Sequence, residues 1–424
     1  MNLNNKFLGS MAILIVGSVI AQMSNLLSQP IITRFLPADI IGQYIYIVSL
    51  SNIIVPISSL KVDMLIVNEK DEENAQYITD TCIILVLLFS LLFLIITYFL
   101  MINDFFIDKK YIPCMWLGCV LIAIEGIRII CISYSNRYKE YKLIAKLSIC
   151  REFMRSLIQI MDSIFVQSVY GQLLGNIIGP IIGVREQVSS YLSKFKQRKF
   201  ISVKKIWEIL CNSKSQICFI STSQLMNTSA YSLIAIFIEA LYTLTDLAYY
   251  SISAKVLGLP MMYITSNVSK VLFKRLGEKN NNNENLFAFL LKCVLGLCVI
   301  SFFTFTVIYF IAPLCCKKIF GGDYETAGYF VQSLCVMFAI RFVAASISTT
   351  LIILKKQKFE IYINACLLLN VLISYYISQL LNYDIGTFLL IVSTLSSITY
   401  MMQIILYVTL TYFYDKKNKS SLSV

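Results

Sequence analysis

Apolar residues run through this chain in long, nearly unbroken stretches, and polar residues collect in the short gaps between them. Windows of about 20 apolar residues, enough to carry a helix through the hydrocarbon of a bilayer, predict twelve spans. They lie at 8–32, 40–67, 81–102, 112–134, 143–165, 169–191, 215–240, 246–271, 286–312, 329–354, 361–382 and 385–412. The fifth is the least apolar: it holds Lys146, Arg151, Glu152 and Arg155, so its charged face must meet protein or water rather than lipid. The first is broken by Gln22, Ser24, Asn25 and Ser28, is too long and polar for a cleaved signal, and is expected to stay as a span. Pro56, Pro180 and Pro260 fall inside spans two, six and eight, where each removes a backbone donor and should bend its helix. Such bends suit a gated cavity or are simply tolerated kinks.

Composition narrows the class. Of 424 residues, 58% are hydrophobic and 14% charged, which excludes a soluble multidomain protein, a disordered scaffold, a disulfide-stapled secreted domain and a large extramembrane catalytic domain. There is no histidine, so the commonest metal ligand and general base is missing and any proton coupling falls to carboxylates. No catalytic group, metal or cofactor is expected. The thirteen cysteines mostly lie in apolar segments without CxxC spacing and read as small buried hydrophobes; adjacent Cys315 and Cys316 rarely have the geometry to bridge.

Lysine and arginine orient the chain. With the N-terminus inside, the cytoplasmic loops hold most of the basic residues, from Lys6 to Lys419. The outer side holds only Arg34, Lys109, Lys110, Lys317 and Lys318. Both termini are then cytoplasmic, and the net charge of +12 is a topology signal rather than a nucleic-acid footprint. The longest polar interruption, 193–214, contains the basic amphipathic stretch KFKQRKFISVKKIWE and divides the chain into a six-helix lobe at 1–192 and another at 215–424. It reads as a linker lying on the anionic inner leaflet, or as a regulatory or partner-binding segment. Glu69–Asn74 (EKDEEN) and Asn280–Asn285 (NNNNEN) read as solvated loops.

The two halves resemble one another. Gln22 and Asn25 in the first span of one half are matched by Gln224 and Asn227 in the first span of the other, each pair on one helical face. Gly42 and Tyr44 are matched by Ala248 and Tyr250. Duplicated lobes of this kind bind substrate between the repeats in transporters.

Several charges lie about ten residues or more from a span end, near the bilayer centre: Glu125, Arg128, Arg151, Glu152, Arg155, Lys255 and Arg341. Each costs roughly 2.5–3.5 kcal/mol there, so an interior position is expected. Glu125 with Arg128 and Glu152 with Arg155 are spaced i, i+3 and either pair with each other or serve a cavity. Lys255 and Arg341 have no carboxylate beside them at that depth in their own spans. The positive surplus favours an anionic guest such as a phosphate or diphosphate, for which arginine offers a bidentate fork, and disfavours cationic drugs. Lys61 and Asp63, near the inner end of span two, form a second candidate set or an interfacial anchor.

Particular stretches carry a family resemblance. ITRFLPADIIGQYIYIVSLSNIIVPISSLKVDMLIV resembles the "tR-l-tp-e-fG-ya" loop and "Lr-e-AI" helix end of the Wzx-type flippases. These form the polysaccharide-transporter branch of the multidrug, oligosaccharidyl-lipid and polysaccharide exporter (MOP) superfamily. Arg34, Pro37, Gly42, Lys61 and Asp63 stand in matching places, and Leu65 stands where alanine is usual. Gly171, Gly175 and Gly179 resemble the glycine ladder of that family's sixth helix, and IFGGDYETAGYF its outer "FG-ew-eAg" loop. Arg341 with LKKQKFE is similar to its tenth helix and inner loop.

The resemblance covers roughly residues 8–360. It implies an all-α polytopic membrane protein of about twelve helices, with two six-helix lobes around a central cavity, in the bacterial cytoplasmic (inner) membrane. It implies alternating access on undecaprenyl-diphosphate-linked oligosaccharide repeat units of O-antigen or capsule, without covalent chemistry, as a step of lipopolysaccharide or other polysaccharide biosynthesis. Partners would be that lipid-linked oligosaccharide, membrane lipids, and polysaccharide polymerase and assembly proteins, with no nucleic acid. Arg341, Lys255, Arg155, Arg128 and Lys61 would meet the phosphates and Gln22, Asn25, Gln224 and Asn227 the sugars. Glu125, Glu152, Asp63 and Glu239 are the carboxylates open to ion coupling. Peptidoglycan-precursor flippases typically add two helices, for which this chain has no room. Two other functions compete: a multidrug or metabolite antiporter of the same superfamily, and a membrane-embedded repeat-unit polymerase. The polymerase would need a large outer loop, and the longest expected here is 313–328.

Overall fold

The computed structural model describes residues 3–102, 112–195, 202–214, 216–282 and 284–422. Of the loop charges counted above, Lys109, Lys110, Lys196, Arg198 and Lys199 lie outside these residues. The described residues form helices and turns without a strand. Their order is α1 (Leu3–Phe35), α2 (Ala38–Ile54), α3 (Asp63–Asn68), α4 (Glu72–Ile102), α5 (Ile112–Arg137), α6 (Tyr141–Phe165), α7 (Val169–Ile181), α8 (Val184–Phe195), α9 (Val203–Asn212) and α10 (Thr222–Leu241). Then follow α11 (Leu244–Pro260), α12 (Ser266–Asn281), α13 (Leu286–Phe320), α14 (Glu325–Ser346), α15 (Thr350–Ile353), α16 (Phe359–Leu381) and α17 (Ile385–Leu422).

Eight stretches of described residues are long and apolar enough to cross a membrane: 38–57, 72–100, 114–137, 244–281, 286–320, 322–353, 359–381 and 385–416. Their outward faces are apolar. Leu88, Leu91, Ile95 and Phe99 of α4 and Phe302, Phe303 and Phe310 of α13 are all exposed, a surface that only lipid covers without cost. The chain is therefore a polytopic all-α membrane protein. The other four expected spans are helical but fall outside this set. α6 carries charges along its length, α7 has only thirteen residues, or about 20 Å against the roughly 30 Å of a bilayer core, and α10 is diluted by amides and hydroxyls.

Each of the three prolines marks a break. α2 ends at Ile54, a 3₁₀ turn at Val55–Ile57 contains Pro56, and Leu60 and Lys61 take left-handed φ of 52° and 58° before α3 begins. α7 ends one residue after Pro180, and Gly183 (φ 73°) turns the chain into α8. α11 ends at Pro260 and continues through a π-type segment, Met261–Thr265, into α12. Proline cannot donate to the preceding turn, so the helix stops or loosens there. The expected outer loop at 313–328 is mostly helix: α13 runs to Phe320, and only a short 3₁₀ turn, Gly322–Tyr324, separates it from α14.

By packing, the chain forms two compact units, 1–245 and 246–424. α10 packs on α2 within the first unit. In that unit α1 lies along α6, α6 along α7, and α4 along α5. Gly17 of α1 sits where a Cβ would come within 2.7 Å of Ala145 Cβ, the close approach that small residues permit between membrane helices. Tyr46, Ile47, Ile122, Leu173 and Ile238 are fully buried there. In the second unit α14 packs between α13 and α17. Gly328 faces the backbone of Pro313, Phe305 and Phe342 stack edge-on at 6.1 Å, and Asp415 Oδ2 accepts from Phe287 N at 2.7 Å, fastening the start of α13 to α17.

All thirteen thiols are free. Cys82, Cys114, Cys131, Cys316 and Cys335 are buried as expected of small apolar groups, whereas Cys218, Cys298 and Cys366 are exposed.

Candidate functional site

α6 is built to present charge on one side and fit a helix closely on the other. Arg151, Arg155, Gln159 and Asp162 recur at helical spacing, and α7 lays its glycine ladder on that row. A Cβ at Gly171 would strike the Asp162 carboxylate. One at Gly175 would lie 2.7 Å from Gln159 Cγ, and one at Gly179 would lie 2.9 Å from the Arg151 carbonyl. Only hydrogen at these positions lets the backbones approach. The approach is then locked by Gln159 Nε2 donating to the Gln172 carbonyl (3.2 Å) while Gln172 Nε2 donates to the Gln159 carbonyl (3.0 Å) and to Asp162 Oδ2 (2.9 Å). Asp162 Oδ1 in turn accepts from the Ser168 hydroxyl at 3.0 Å, and that hydroxyl caps α7 by accepting from Gly171 N.

With α6 fixed in this rotation, a charged network crosses three helices. Arg155 Nη2 reaches Glu125 Oε1 of α5 at 2.9 Å, and its Nη1 reaches Glu152 Oε1 at 3.0 Å. Glu125 Oε2 accepts from Arg128 Nε at 2.5 Å. Glu152 Oε2 accepts from Asn25 Nδ2 of α1 at 3.3 Å. Both i, i+3 pairs expected from spacing form, and Glu125 joins them. The assembly is neutral, two carboxylates against two guanidiniums, which lowers its cost in an apolar surround. Its most open member is Arg128, with 31% of its side chain exposed.

Beside it, Tyr44 of α2 accepts from Gln159 Nε2 at 3.1 Å and from Asn176 Nδ2 at 2.5 Å, joining α2, α6 and α7. Residue spacing alone did not single out Gln159, Asp162, Gln172 or Asn176. The available signal was the four-residue polar period of the fifth span. Arg151, expected at the midplane as part of a positive surplus, is instead buried and structural: its Nε donates to the Ile182 carbonyl (2.8 Å) and its Nη2 to Gln187 Oε1 (2.7 Å), satisfying the backbone where α7 breaks. In the first unit, then, Arg128 and Arg155 are matched by two carboxylates and Arg151 is held by a carbonyl and an amide, so the surplus among these three arginines is one charge, and it sits on a guanidinium already engaged at the α7 break.

Asp63 is buried at the α2–α3 break, where Ser59 Oγ donates at 2.5 Å and Ser133 Oγ at 3.3 Å; Lys61 is half-buried on the left-handed turn. Near that end Arg137 donates to the carbonyls of Ile66 (3.2 Å), Glu69, Lys70 and Asp71, clamping the acidic loop. Tyr138 donates to Glu72 Oε1 at 2.7 Å. Partial burial, together with that carboxylate, pushes the Tyr138 hydroxyl up from its ordinary pKa. Gln22, and Gln224, Asn227 and Glu239 on α10, are half-buried. In the second unit Lys255 on α11 and Arg341 on α14 are half-buried, and the Arg341 guanidinium lies 5.4 Å from the Phe338 ring centroid. Among the described residues no cluster of acidic, thiol or imidazole side chains has the grouping of a metal site.

Solved structures share this fold at low sequence identity. A lipid II flippase, MurJ, in an inward closed conformation superposes with a TM-score of 0.69 at 14% identity, covering 93% of this chain and 86% of its own. An inward-facing multidrug resistance MATE transporter of the MOP superfamily gives 0.69 at 11% identity, over 95% and 99% of the two chains. A MOP superfamily transporter from Pyrococcus furiosus, described as having a binding pocket of reversed polarity, gives 0.60 at 11%, over 98% and 95%. No curated protein matches the chain in sequence. A family model described as "Polysaccharide biosynthesis protein" matches residues 31–328, most of the chain, and the chain belongs to that family.

Proposed function

We propose that this member of the polysaccharide biosynthesis protein family is a flippase for undecaprenyl-diphosphate-linked oligosaccharide repeat units, moving them from the inner to the outer leaflet of the cytoplasmic membrane by alternating access. The observation that carries the reading is the conjunction of that family match with a fold shared by a lipid II flippase. Multi-pass helices with lipid-exposed faces suit a cargo that keeps a polyprenyl tail in the bilayer. The half-buried amides of Gln22, Asn25, Gln224 and Asn227 are chemically matched to sugar hydroxyls.

For the diphosphate, Arg341 on α14 and Lys255 on α11 are candidates by their charge and half-buried positions. Arg128 and Arg155 already share two carboxylates, so an anion there would have to compete with Glu125 and Glu152. Arg341, stacked against Phe338, keeps a planar fork suited to phosphate oxygens. No step involves bond making, so the protein acts as a transporter rather than a polymerase.

Cells without the protein are expected to accumulate lipid-linked repeats on the inner leaflet while continuing to make them. Single repeats reaching the outer leaflet but failing to polymerise would overturn the reading in favour of a polymerase.

A further inference from the structure

α9 turns two unlike faces to its surroundings. On one, Ile209 is buried in a cluster with Val62, Ile66, Ile78, Cys82 and Ile130, with Leu210 packed against it. On the other, Val203 is 82% and Trp207 68% exposed, one helical turn apart and so side by side. Lys204 and Lys214 are exposed beside this face; Lys205 pairs with Glu208 at 3.3 Å. A valine and a tryptophan left this open side by side form an apolar patch that is unfavourable in water.

The place of α9 says what covers them. Ile78 and Cys82 belong to the first turns of α4 and Ile130 to the last turns of α5, so α9 docks at the end of the α4–α5 hairpin. The polar loop at 69–71 and the turn at Lys139 and Glu140 lie at that same end. That is where membrane-spanning segments give way to water. A helix of ten residues, about 15 Å long, is too short to cross but long enough to lie flat, and tryptophan with flanking lysines is the residue set of an interfacial helix.

We infer that Val203 and Trp207 rest in the boundary between headgroups and acyl chains of an anionic leaflet, with Lys204 and Lys214 on its phosphates. Lipid then anchors α9. Through Ile209 it also steadies Val62 and Ile66, the segment that follows the left-handed Leu60–Lys61 turn. This goes beyond the transport reading and does not depend on what is carried.

The chain has two tryptophans, so Trp116→Phe leaves Trp207 as the sole emitter. The full-length variant is reconstituted into phosphatidylcholine vesicles with or without phosphatidylglycerol, using acyl chains brominated near the headgroup or unbrominated. The expected result is loss of most Trp207 emission with brominated lipid and little loss with aqueous iodide. Quenching by bromine should weaken when phosphatidylglycerol is omitted or when Lys204 and Lys214 are both changed to Glu. Trp207→Phe, which keeps the α5 signal of Trp116, reports that the protein is inserted and folded. Iodide-accessible, bromine-insensitive Trp207 emission in inserted protein would overturn the lipid contact. Equal bromine quenching with and without phosphatidylglycerol would overturn its anionic character.

Discussion

The Arg155 guanidinium bridges to Glu125 on the neighbouring helix at 2.9 Å, and through this one contact the separate Glu125–Arg128 and Glu152–Arg155 pairs become a single neutral network. Glu125 serves two arginines and Glu152 one. Glu125→Gln should therefore cost more than Glu152→Gln. Loss of a partner to a fully buried charge costs about 3–5 kcal/mol. Because these side chains are 12–31% exposed, roughly 2 kcal/mol is expected for Glu125→Gln. The check is protein abundance in membranes and midpoint of thermal unfolding in detergent. Equal loss from the two variants would show that the interhelical contact adds nothing.

The glycine ladder offers a steric test. Gly175→Val places branched carbon against Gln159 Cγ and the Arg155 carbonyl, which forces α7 from α6 and should destabilise by about 1–3 kcal/mol or more. Gly296 on α13 is different, because a Cβ added there would meet nothing within 4 Å. Gly296→Ala should leave stability unchanged or raise it by up to about 1 kcal/mol, since alanine is the better helix former. Abundance and unfolding of the two variants, measured side by side, decide whether the ladder is a packing device.

Arg341→Gln and Lys255→Gln separate anion binding from architecture. If these side chains hold the diphosphate, each variant should reach the membrane at normal abundance and lower polymer export by about tenfold or more, the loss of one charge-assisted contact worth roughly 1.5–3 kcal/mol. Arg341→Lys should keep part of the activity, because charge remains while the fork is lost. Normal export by the double glutamine variant at normal abundance would remove the anion-binding assignment.

Topology is tested by labelling. In a variant lacking all thirteen native cysteines, a single cysteine at Gly322 should react with an impermeant reagent added to intact cells. One at Asn212, which is exposed at the end of α9, should react only after permeabilisation. The reverse pattern would invert the orientation drawn from the loop charges.

Much of the local structure was legible in the sequence because it depends on neighbours along the chain. Apolar run length located the helices. The i, i+3 spacing of Glu125 with Arg128 and of Glu152 with Arg155 is fixed by helical pitch alone, so those pairs were readable without knowing any fold. Pro56, Pro180 and Pro260 each mark a helix break, since a missing N–H is a property of the residue itself, whereas Pro30 and Pro313 are carried inside α1 and α13.

What tertiary structure decided depends on how one helix is rotated and approached by another. The Arg155–Glu125 contact exists because Gly171, Gly175 and Gly179 let α7 seat against α6 and set the face it turns to α5. Sequence separation carries no signal for that rotation. Arg151 looked like a cavity charge, but its depth said nothing of the Ile182 carbonyl, which becomes an unsatisfied acceptor only once α7 has broken beside it. The boundary between packed units falls after Thr245, because a packed unit records which apolar faces meet rather than where the chain is polar. α10 buries its face against α2, across many residues of intervening sequence.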